Sequence, residues 1–196
     1  MTEPSGHTQR TTTHIALLRA VNVAGRGMVA MSELRAALEA LGFTDVRTVL
    51  QSGNAVFRTS GAKGAKLEGL IEEALLKRLS IRSDVFVRSA AQWKVLLADN
   101  PFPAEATRDP GHLVAMVAKM PVRKKAVAAL QAAVAAAGGR ETVAESAGQV
   151  YAYYPDGIGR SRLTTALAER TLGTRLTGRN WKTVLKLAAA ASKAES

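Results

Sequence analysis

The two halves of this sequence predict the same order of strands and helices, and this repetition constrains the fold more than any other feature. Residues 14–88 predict strand, helix, strand, strand, helix and strand, and residues 113–177 predict the same series. A hairpin between two strand–helix segments is typical of the split βαβ, or ferredoxin-like, unit. We therefore predict an α+β fold with two tandem ferredoxin-like (βαββαβ) units, antiparallel sheets and a C-terminal helix. The repetition is one of element order, without a residue-level repeat.

Local signals predict where several helices begin. Ser32 is placed to cap the first helix, and Pro121 suits the first position of an alanine-rich helix in the second half. Residues 89–92 match a capping box, with serine first and glutamine fourth. A later helix is predicted over 161–172, and Asn180 is placed to cap the last one.

These signals divide the chain into five segments. The stretch after residues 100–103 is predicted to be a linker, because the prolines there cannot continue a helix. The predicted segments are a disordered tail (1–12), a first ferredoxin-like unit (13–88), a connecting helix and linker (89–111), a second ferredoxin-like unit (112–178) and a basic C-terminal helix (179–196).

Composition limits the classes of protein that this chain can belong to. Its 196 residues, 47% of them hydrophobic, can bury one good core or two small joined ones. The lack of cysteine excludes disulfides, thiolate metal sites and cysteine nucleophiles. No apolar run reaches the roughly 20 residues that span a bilayer, and the first dozen residues lack the apolar segment of a secretion signal. We expect a cytoplasmic protein without membrane contact.

The charge balance favours anionic partners. The formal net charge is +11 and the sequence pI about 10.4, which suits nucleic acid, nucleotides or phosphorylated metabolites. The excess is uneven, since residues 158–194 hold eight arginines or lysines and a single acid, Glu169. A solvated basic surface without a partner is the alternative interpretation.

A first candidate site follows from the predicted topology. In a ferredoxin-like unit, the loop after the first strand lies at the same edge as the hairpin between the second and third strands. Polar residues of the two loops are therefore predicted to meet, although the two asparagines can equally serve only to stabilise turns. The candidate ligand-binding residues of this first cluster are Arg19, Asn22, Arg26, Gln51, Ser52 and Asn54.

A second candidate site is a glycine-rich turn at the predicted start of a helix. Glycines let backbone amides face an oxyanion, and a helix start adds unpaired N–H groups and a positive dipole end. Arginines nearby add planar forks for phosphate or carboxylate. The alternative is a glycine turn with a serine cap. The candidate residues of this second cluster are Gly157, Gly159, Arg160, Ser161, Arg179, Asn180 and Lys182, with Arg162 as a further fork.

Signals for catalysis are few. Asp156 is the acid inside the glycine-rich loop and can act as a base, an arginine partner or a turn former, of which we favour the last. His14 and His112 each begin a predicted strand, where a structural role is favoured. Metal-ligand spacing is missing, so no metal or cofactor is predicted. Base stacking on the sheet is disfavoured, because the central strands of the first unit offer only Phe57.

Several blocks of the sequence resemble, in order, the uncharacterised bacterial family known as domain of unknown function 1697. The resemblance covers about residues 14 to 190 and implies an α+β fold and a bacterial cytoplasmic protein, but no activity. Ala24 departs from the glycine expected in that loop, which weakens the case for a close approach of a ligand there. The matching blocks are 14–25 (HIALLRAVNVAG), 34–43, 49–57 (VLQSGNAVF), 100–103 (NPFP), 154–161 (YPDGIGRS), 163–164, 179–181 (RNW), 183 and 186–187.

Two functional hypotheses follow. The first is a non-catalytic module that binds an anionic, phosphate-bearing ligand, either a nucleotide or nucleic acid. The second is an enzyme acting on a phosphorylated or carboxylated small molecule, with arginines stabilising charge and Asp156 or Ser161 handling a proton. A deep pocket favours the enzyme, whereas a broad basic face favours the binding module. We favour binding, because the sequence contains no recognisable acid–base or nucleophile constellation.

Overall fold

The computed structural model describes residues 11–22 and 29–195, and the first unit takes up the part before residue 90. Its strands pair in the order β2-β3-β1-β4, and each neighbouring pair is antiparallel. This is a ferredoxin-like unit, as predicted. Its elements are β1 (Thr12–Leu18), α1 (Met31–Glu39), β2 (Thr44–Thr48), β3 (Asn54–Thr59), α2 (Gly64–Leu79) and β4 (Val85–Ser89).

The second unit repeats this order after two connecting helices. Those helices are α3 (Ala90–Ala98) and α4 (Pro103–Arg108). The strands of the second sheet pair in the order β6-β7-β5-β8, again antiparallel throughout. The predicted tandem α+β fold is therefore confirmed. The remaining elements are β5 (Leu113–Ala118), α5 (Lys124–Ala136), β6 (Thr142–Ser146), β7 (Gln149–Tyr153), α6 (Thr165–Leu172), β8 (Leu176–Asn180) and a C-terminal helix α7 (Trp181–Glu195).

Two of the predicted helix caps are confirmed. The Ser89 hydroxyl accepts from the amide of Gln92 at 3.1 Å, and the Gln92 side chain accepts from the amide of Ser89 at 2.9 Å. Asn180 likewise accepts from the amide of Thr183 at 3.0 Å. In both units the last strand thus ends at a residue that caps the next helix, so no linker separates the sheet from that helix.

One predicted helix cap was wrong, and one short helix was not predicted. Helix α1 starts at Met31 and its N-cap, Ala30, makes no side-chain hydrogen bond, so Ser32 lies inside the first turn instead of capping it. The segment predicted as a linker contains α4, which has Pro103 at its start. A proline cannot continue a helix, but its fixed φ fits the first helical position, where the missing N–H costs nothing.

The helix predicted to begin at Pro121 starts three residues later, at Lys124. The amide of Val122 donates to the carbonyl of Gly148 in the β6–β7 turn at 3.0 Å. This hydrogen bond keeps the segment extended against the hairpin before the helix begins. A tertiary contact therefore overrides the local preference of the proline.

Three hydrophobic cores hold the elements together. Helices α1 and α2 cover one face of the first sheet, and α5 and α6 cover one face of the second. The opposite faces of both sheets meet in a third core together with α3 and α7. Trp93 of α3 and Trp181 of α7 are buried there. Each sheet is thus covered on both faces.

Buried polar atoms in the third core find partners across the two units. The Trp93 indole donates to the carbonyl of Val184 at 3.2 Å, and the Tyr151 hydroxyl donates to the carbonyl of Leu96 at 2.8 Å. Burial also raises the pKa of Tyr151, so that its hydroxyl stays a donor. These bonds fix the positions of α3 and α7, because a buried donor without a partner is costly.

His14 has no hydrogen-bond partner for either ring nitrogen, and Oε2 of Glu141 is the other buried side-chain polar atom without one in the described part of the chain. His14 is 3% exposed. Its ring stacks on Phe57 with 5.8 Å between centroids. Burial, with a smaller contribution from the charge of Lys63, lowers the pKa of His14 below the ordinary value of 6.5. His14 is therefore held in the fold as a neutral ring.

Replacing His14 should change how stability depends on pH. Because the folded protein binds the proton less readily than the unfolded chain, the free energy of unfolding should fall as pH drops below about 6.5, by at most about 1.4 kcal/mol per pH unit. His14→Leu should flatten this decline in urea unfolding measured between pH 5 and 8. His112→Asn, at a half-exposed histidine, serves as the control and should retain it. An unchanged slope in His14→Leu would contradict this assignment.

Candidate functional site

A cleft of about 830 Å³ opens at the edge of the first sheet where β1 ends. The loop after β1 forms one wall, the end of α2 and the α2–β4 loop form another, and Arg175 from the second unit closes it. The residues of this arginine cleft are Arg19, Ala20, Val21, Glu72, Glu73, Leu76, Ser80, Ile81, Arg82, Ser83, Asp84 and Arg175.

Two guanidinium groups of the arginine cleft converge on one carboxylate oxygen. Arg19 and Arg175 contact Oδ2 of Asp84 at 3.2 and 3.1 Å, and Arg19 also contacts Glu169 at 3.1 Å. Arg82 is exposed and makes no ion pair with any residue in the described ranges. The cleft thus combines two guanidiniums that pair with a carboxylate and a third that has no carboxylate partner among the described residues.

The backbone at this edge adopts left-handed conformations that side chains disfavour. Ala20, Asn22 and Leu50 have φ angles of +53°, +54° and +60°. Alanine and leucine pay about 1–2 kcal/mol each in this region. Such strain is concentrated at functional sites more often than elsewhere. Its presence in two loops beside the arginine cleft favours a functional role for this edge.

Asn22 ties the loop after β1 to the hairpin, as the predicted topology requires. Its side chain accepts from the amide of Val29 at 2.7 Å and donates to the carbonyls of Val29 at 3.0 Å and Gln51 at 2.6 Å. The hydrogen bonds of Asn22 therefore hold the loop after β1 against the β2–β3 hairpin. Arg26, the other candidate in this loop, lies outside the described residues.

Asn54 and Ser52 bind each other and Arg179 of the second unit. Asn54 is fully buried and donates to Ser52 Oγ at 2.9 Å and to the Val49 carbonyl at 3.0 Å. Its Oδ1 accepts from Nε of Arg179 at 2.5 Å. These two members of the first cluster form part of the contact between the units, whereas Gln51 is exposed.

Arg179 lies with the first cluster instead of the second, where the sequence placed it. Besides Asn54, its guanidinium donates to the carbonyls of Leu18 at 2.8 Å, Ser52 at 3.2 Å and Gly178 at 2.9 Å and to the hydroxyl of Thr177 at 3.0 Å. These bonds use all five donors of the side chain. Desolvation lowers the pKa of Arg179 to about 10, which leaves it charged at neutral pH. It joins the two units and has no donor left for a ligand.

The glycine turn, residues Gly157–Ser161, is not the start of a helix. Residues Ile158–Arg160 form a short 3-10 turn, and α6 begins only at Thr165. Its cap is Thr164, whose hydroxyl accepts from the amide of Leu167 at 3.2 Å. The predicted helix start at Ser161 was therefore wrong, because four residues are needed to cross from the turn to the helix.

A carboxylate of the protein already occupies part of the glycine turn. Oε1 of the buried Glu141 accepts from the amide of Arg162 at 2.8 Å. Burial alone would raise the pKa of Glu141, but hydrogen bonds from Ser161 and from backbone amides outweigh it and hold the pKa below its usual value. Anion binding by Gly157 and Gly159 stays a prediction, and an external anion would lie close to this charge.

The other members of the second cluster divide into paired and exposed residues. Asp156 contacts Arg140 at 2.9 Å, so it is an arginine partner as well as a turn residue. Arg160, Arg162 and Lys182 are exposed. Asn180 caps α7 through its Oδ1. Gly157 lies beside the His112 ring and Gly111 beside the Lys182 ammonium group, since a Cβ added at each glycine would lie 3.7 Å from Nε2 and 3.8 Å from Nζ, respectively.

Sequence reasoning missed Arg82, Asp84 and Arg175. The first two precede β4 and the third precedes β8. A topological signal for them was available, because the loop before the fourth strand of a ferredoxin-like unit opens at the same edge as the loop after the first strand. The convergence of loops from both units could not be derived in this way, since it depends on how the sheets pack.

These observations define an α+β protein of two tandem ferredoxin-like units joined through their sheets and a shared arginine. The chain belongs to the family described as a protein of unknown function (DUF1697), whose model matches residues 11–151. None of the curated proteins matches it.

A solved structure similar to this chain is that of a conserved bacterial protein from Streptococcus pneumoniae. The two are 23% identical, the match covers 93% of this chain and 99% of the other, and the TM-score is 0.62. This likeness supports the fold and says nothing of activity. Within the described ranges, no helix is long and apolar enough to cross a membrane.

Removing the Arg179 side chain should destabilise the protein strongly. Arg179→Met leaves the acceptors on the buried residues Leu18 and Asn54 without their donor, and unsatisfied buried acceptors cost about 1–3 kcal/mol each. We expect a loss of about 3 kcal/mol or more in urea unfolding. Arg162→Met, at an exposed arginine, should change stability by no more than about 0.5 kcal/mol. Equal effects of the two substitutions would rule out the structural role of Arg179.

Proposed function

We propose that this protein binds a small anionic ligand, with a phosphate or carboxylate group, in the arginine cleft. The observation that supports the proposal most directly is the convergence of Arg19, Arg82 and Arg175 from three loops of two units on one concave surface. Guanidinium groups match phosphate and carboxylate with two parallel hydrogen bonds, which makes arginine the preferred residue for such anions.

The ion pairs around the arginine cleft leave one of its three arginines without a carboxylate partner among the described residues. Each acid in its wall has a cation partner: Glu72 contacts Lys119 at 3.0 Å, Glu73 contacts Lys77 at 2.5 Å, and Asp84 contacts two arginines. Arg82 pairs with no carboxylate in the part of the chain that the structure describes. It is therefore the group that gains most from an anionic ligand, while the ion pairs hold Arg19 and Arg175 in position with donors to spare.

A small ligand fits this site better than a nucleic-acid strand does. The volume of about 830 Å³ lies within the range of about 300–1,000 Å³ that is usual for small-molecule pockets. The sheet faces on which RNA-recognition domains stack bases are unavailable, because Ile15, Leu17 and Val56 are buried in the core between the sheets. A nucleotide or a phosphorylated metabolite is thus favoured over RNA, and a cytoplasmic location would supply such ligands.

The enzymatic alternative receives less support. Asp156 and Ser161, which the sequence suggested for proton handling, belong to the glycine turn and do not line the arginine cleft. Asp156 is also engaged by Arg140. Binding without chemistry is therefore the function that we propose.

Substituting Arg82 should weaken anion binding without affecting the fold. The loss of one charge-assisted contact costs about 1.5–3 kcal/mol, or about 10- to 100-fold in affinity. We expect this loss for Arg82→Ala in calorimetric titrations with inorganic phosphate, ATP and citrate. Arg82→Lys should recover only part of the affinity, because lysine lacks the planar fork.

Arg78→Ala is the matched control. Arg78 lies in the last turn of α2, is exposed and does not line the cleft, so its removal changes the net charge equally. It should leave affinity within about twofold of wild type, with unfolding unchanged in both variants. Equal weakening by Arg78→Ala and Arg82→Ala, or preferential binding of a single-stranded oligonucleotide, would instead assign the affinity to a diffuse basic surface.

A further inference from the structure

A second, chemically different cavity lies inside the second unit. It has a volume of about 280 Å³ and lies on the face of the second sheet that α5 and α6 cover. Val114 and Met116 of β5 and Leu176 of β8 line its base. None of its lining residues belongs to the arginine cleft.

A comparison of the two units explains why the cavity exists. Gly178 pairs with Met116 in the second sheet, at the position where Val87 pairs with Ala16 in the first. Val87 is 4% exposed and belongs to the core beneath α1 and α2. Gly178 is exposed and has no side chain, and a Cβ built there would lie 3.0 Å from Cγ1 of Val114 at the base of the cavity. The methionine opposite is flexible and adapts to different occupants better than a branched residue does.

The cover of the cavity is also incomplete. Helix α6 begins only at Thr165, and the 3-10 turn before it places Ile158 over the sheet. Ile158 is 53% exposed and Thr165 is exposed as well. A ligand can therefore enter between these two side chains without unfolding of the core.

The polar groups of the cavity are few and uncharged. Asn180 is held by Thr183, which donates its amide and its hydroxyl to Oδ1 at 3.0 and 2.9 Å, while the NH2 group of Asn180 donates to no described residue. Tyr154 is 4% exposed, and its hydroxyl has no hydrogen bond within the described ranges. Burial raises the pKa of Tyr154, so the hydroxyl remains protonated.

From this geometry we propose that the cavity binds a small neutral molecule with an apolar ring or branched chain and a single hydrogen-bond acceptor. The apolar base takes the ring or chain, and Asn180 or Tyr154 donates to the acceptor. A cavity of about 150 Å³ suffices for benzene, so this one accommodates a substituted ring. A charged ligand is disfavoured, because none of the described residues that line the cavity carries a charge. Glu141, which lies close to Tyr154, further opposes an anion.

The proposal can be tested with benzamide and benzyl alcohol as probes and benzoate as the charged counterpart. In two-dimensional amide NMR, the neutral probes should shift the signals of Val114, Thr165 and Gly178, and benzoate should bind at least tenfold more weakly. The Arg82→Ala variant should bind the neutral probes as the wild type does, which separates this site from the arginine cleft.

The decisive variant is Met116→Ala combined with Gly178→Val. It gives the second unit the alanine–valine pair that Ala16 and Val87 form at the corresponding position of the first unit. It conserves most of the side-chain volume, but a Cβ at position 178 lies 3.0 Å from Cγ1 of Val114, which must shift by a few tenths of an ångström. Urea unfolding establishes that the variant is folded, and it should then abolish the shifts while phosphate binding in the cleft persists. Thr165→Phe, which blocks the entrance without changing the sheet, provides a second test and should weaken binding at least tenfold. Absence of shifts in the wild type, shifts that persist in both variants, or tighter binding of benzoate would overturn the proposal.

Discussion

The structure depends on one constraint, which is that a four-stranded ferredoxin-like sheet has helices on one face only. The other face of each sheet here is apolar, with Ile15, Leu17 and Val56 in the first unit and Ala115 and Tyr151 in the second. Neither face can remain in water without a large loss of hydrophobic stabilisation. The protein solves this by packing both faces into one core and filling the remaining space with α3 and α7. Each unit therefore requires the other, and the loops at the junction become part of a shared edge.

A reciprocal pair of arginines reinforces this arrangement. Arg88, the fourth residue of β4, donates to the carbonyl of Ala118 at the end of β5, and Arg179, the fourth residue of β8, donates to the carbonyl of Leu18 at the end of β1. Each arginine also directly precedes a helix cap, Ser89 or Asn180. The two halves are thus related residue by residue at the place where they bind each other, although their sequences show no general repeat.

The sequence contained enough information for the fold but only part of the candidate site. Element order and strand pairing were predictable because apolar runs, turn residues and the capping box at Ser89 act locally. The strand orders of the two sheets confirm the predicted tandem fold. The meeting of Asn22 with Gln51 also followed from topology. The position of Arg179 could not be predicted, because the sequence around an arginine does not show whether its side chain is buried against another unit or exposed to bind a ligand. Likewise, Glu141 lies just before β6, about twenty residues from the glycine turn in sequence. The residues of the turn give no indication that a carboxylate of the protein binds beside it.

The same packing explains why the two candidate sites differ in chemistry. The arginine cleft lies at the junction of the units, where Arg19 and Arg175 share Asp84 as a counter-ion and the loops contain residues with left-handed backbone. Charged side chains and strained backbone are therefore found together at this junction. The apolar cavity lies within a single unit, on the face covered by its own helices, and includes Gly178 at the position where the first unit has Val87. A ligand in the cleft contacts both units and so adds to the stability of their contact, whereas a ligand in the cavity stabilises the second unit alone. The two sites should accordingly respond to different ligands without competing.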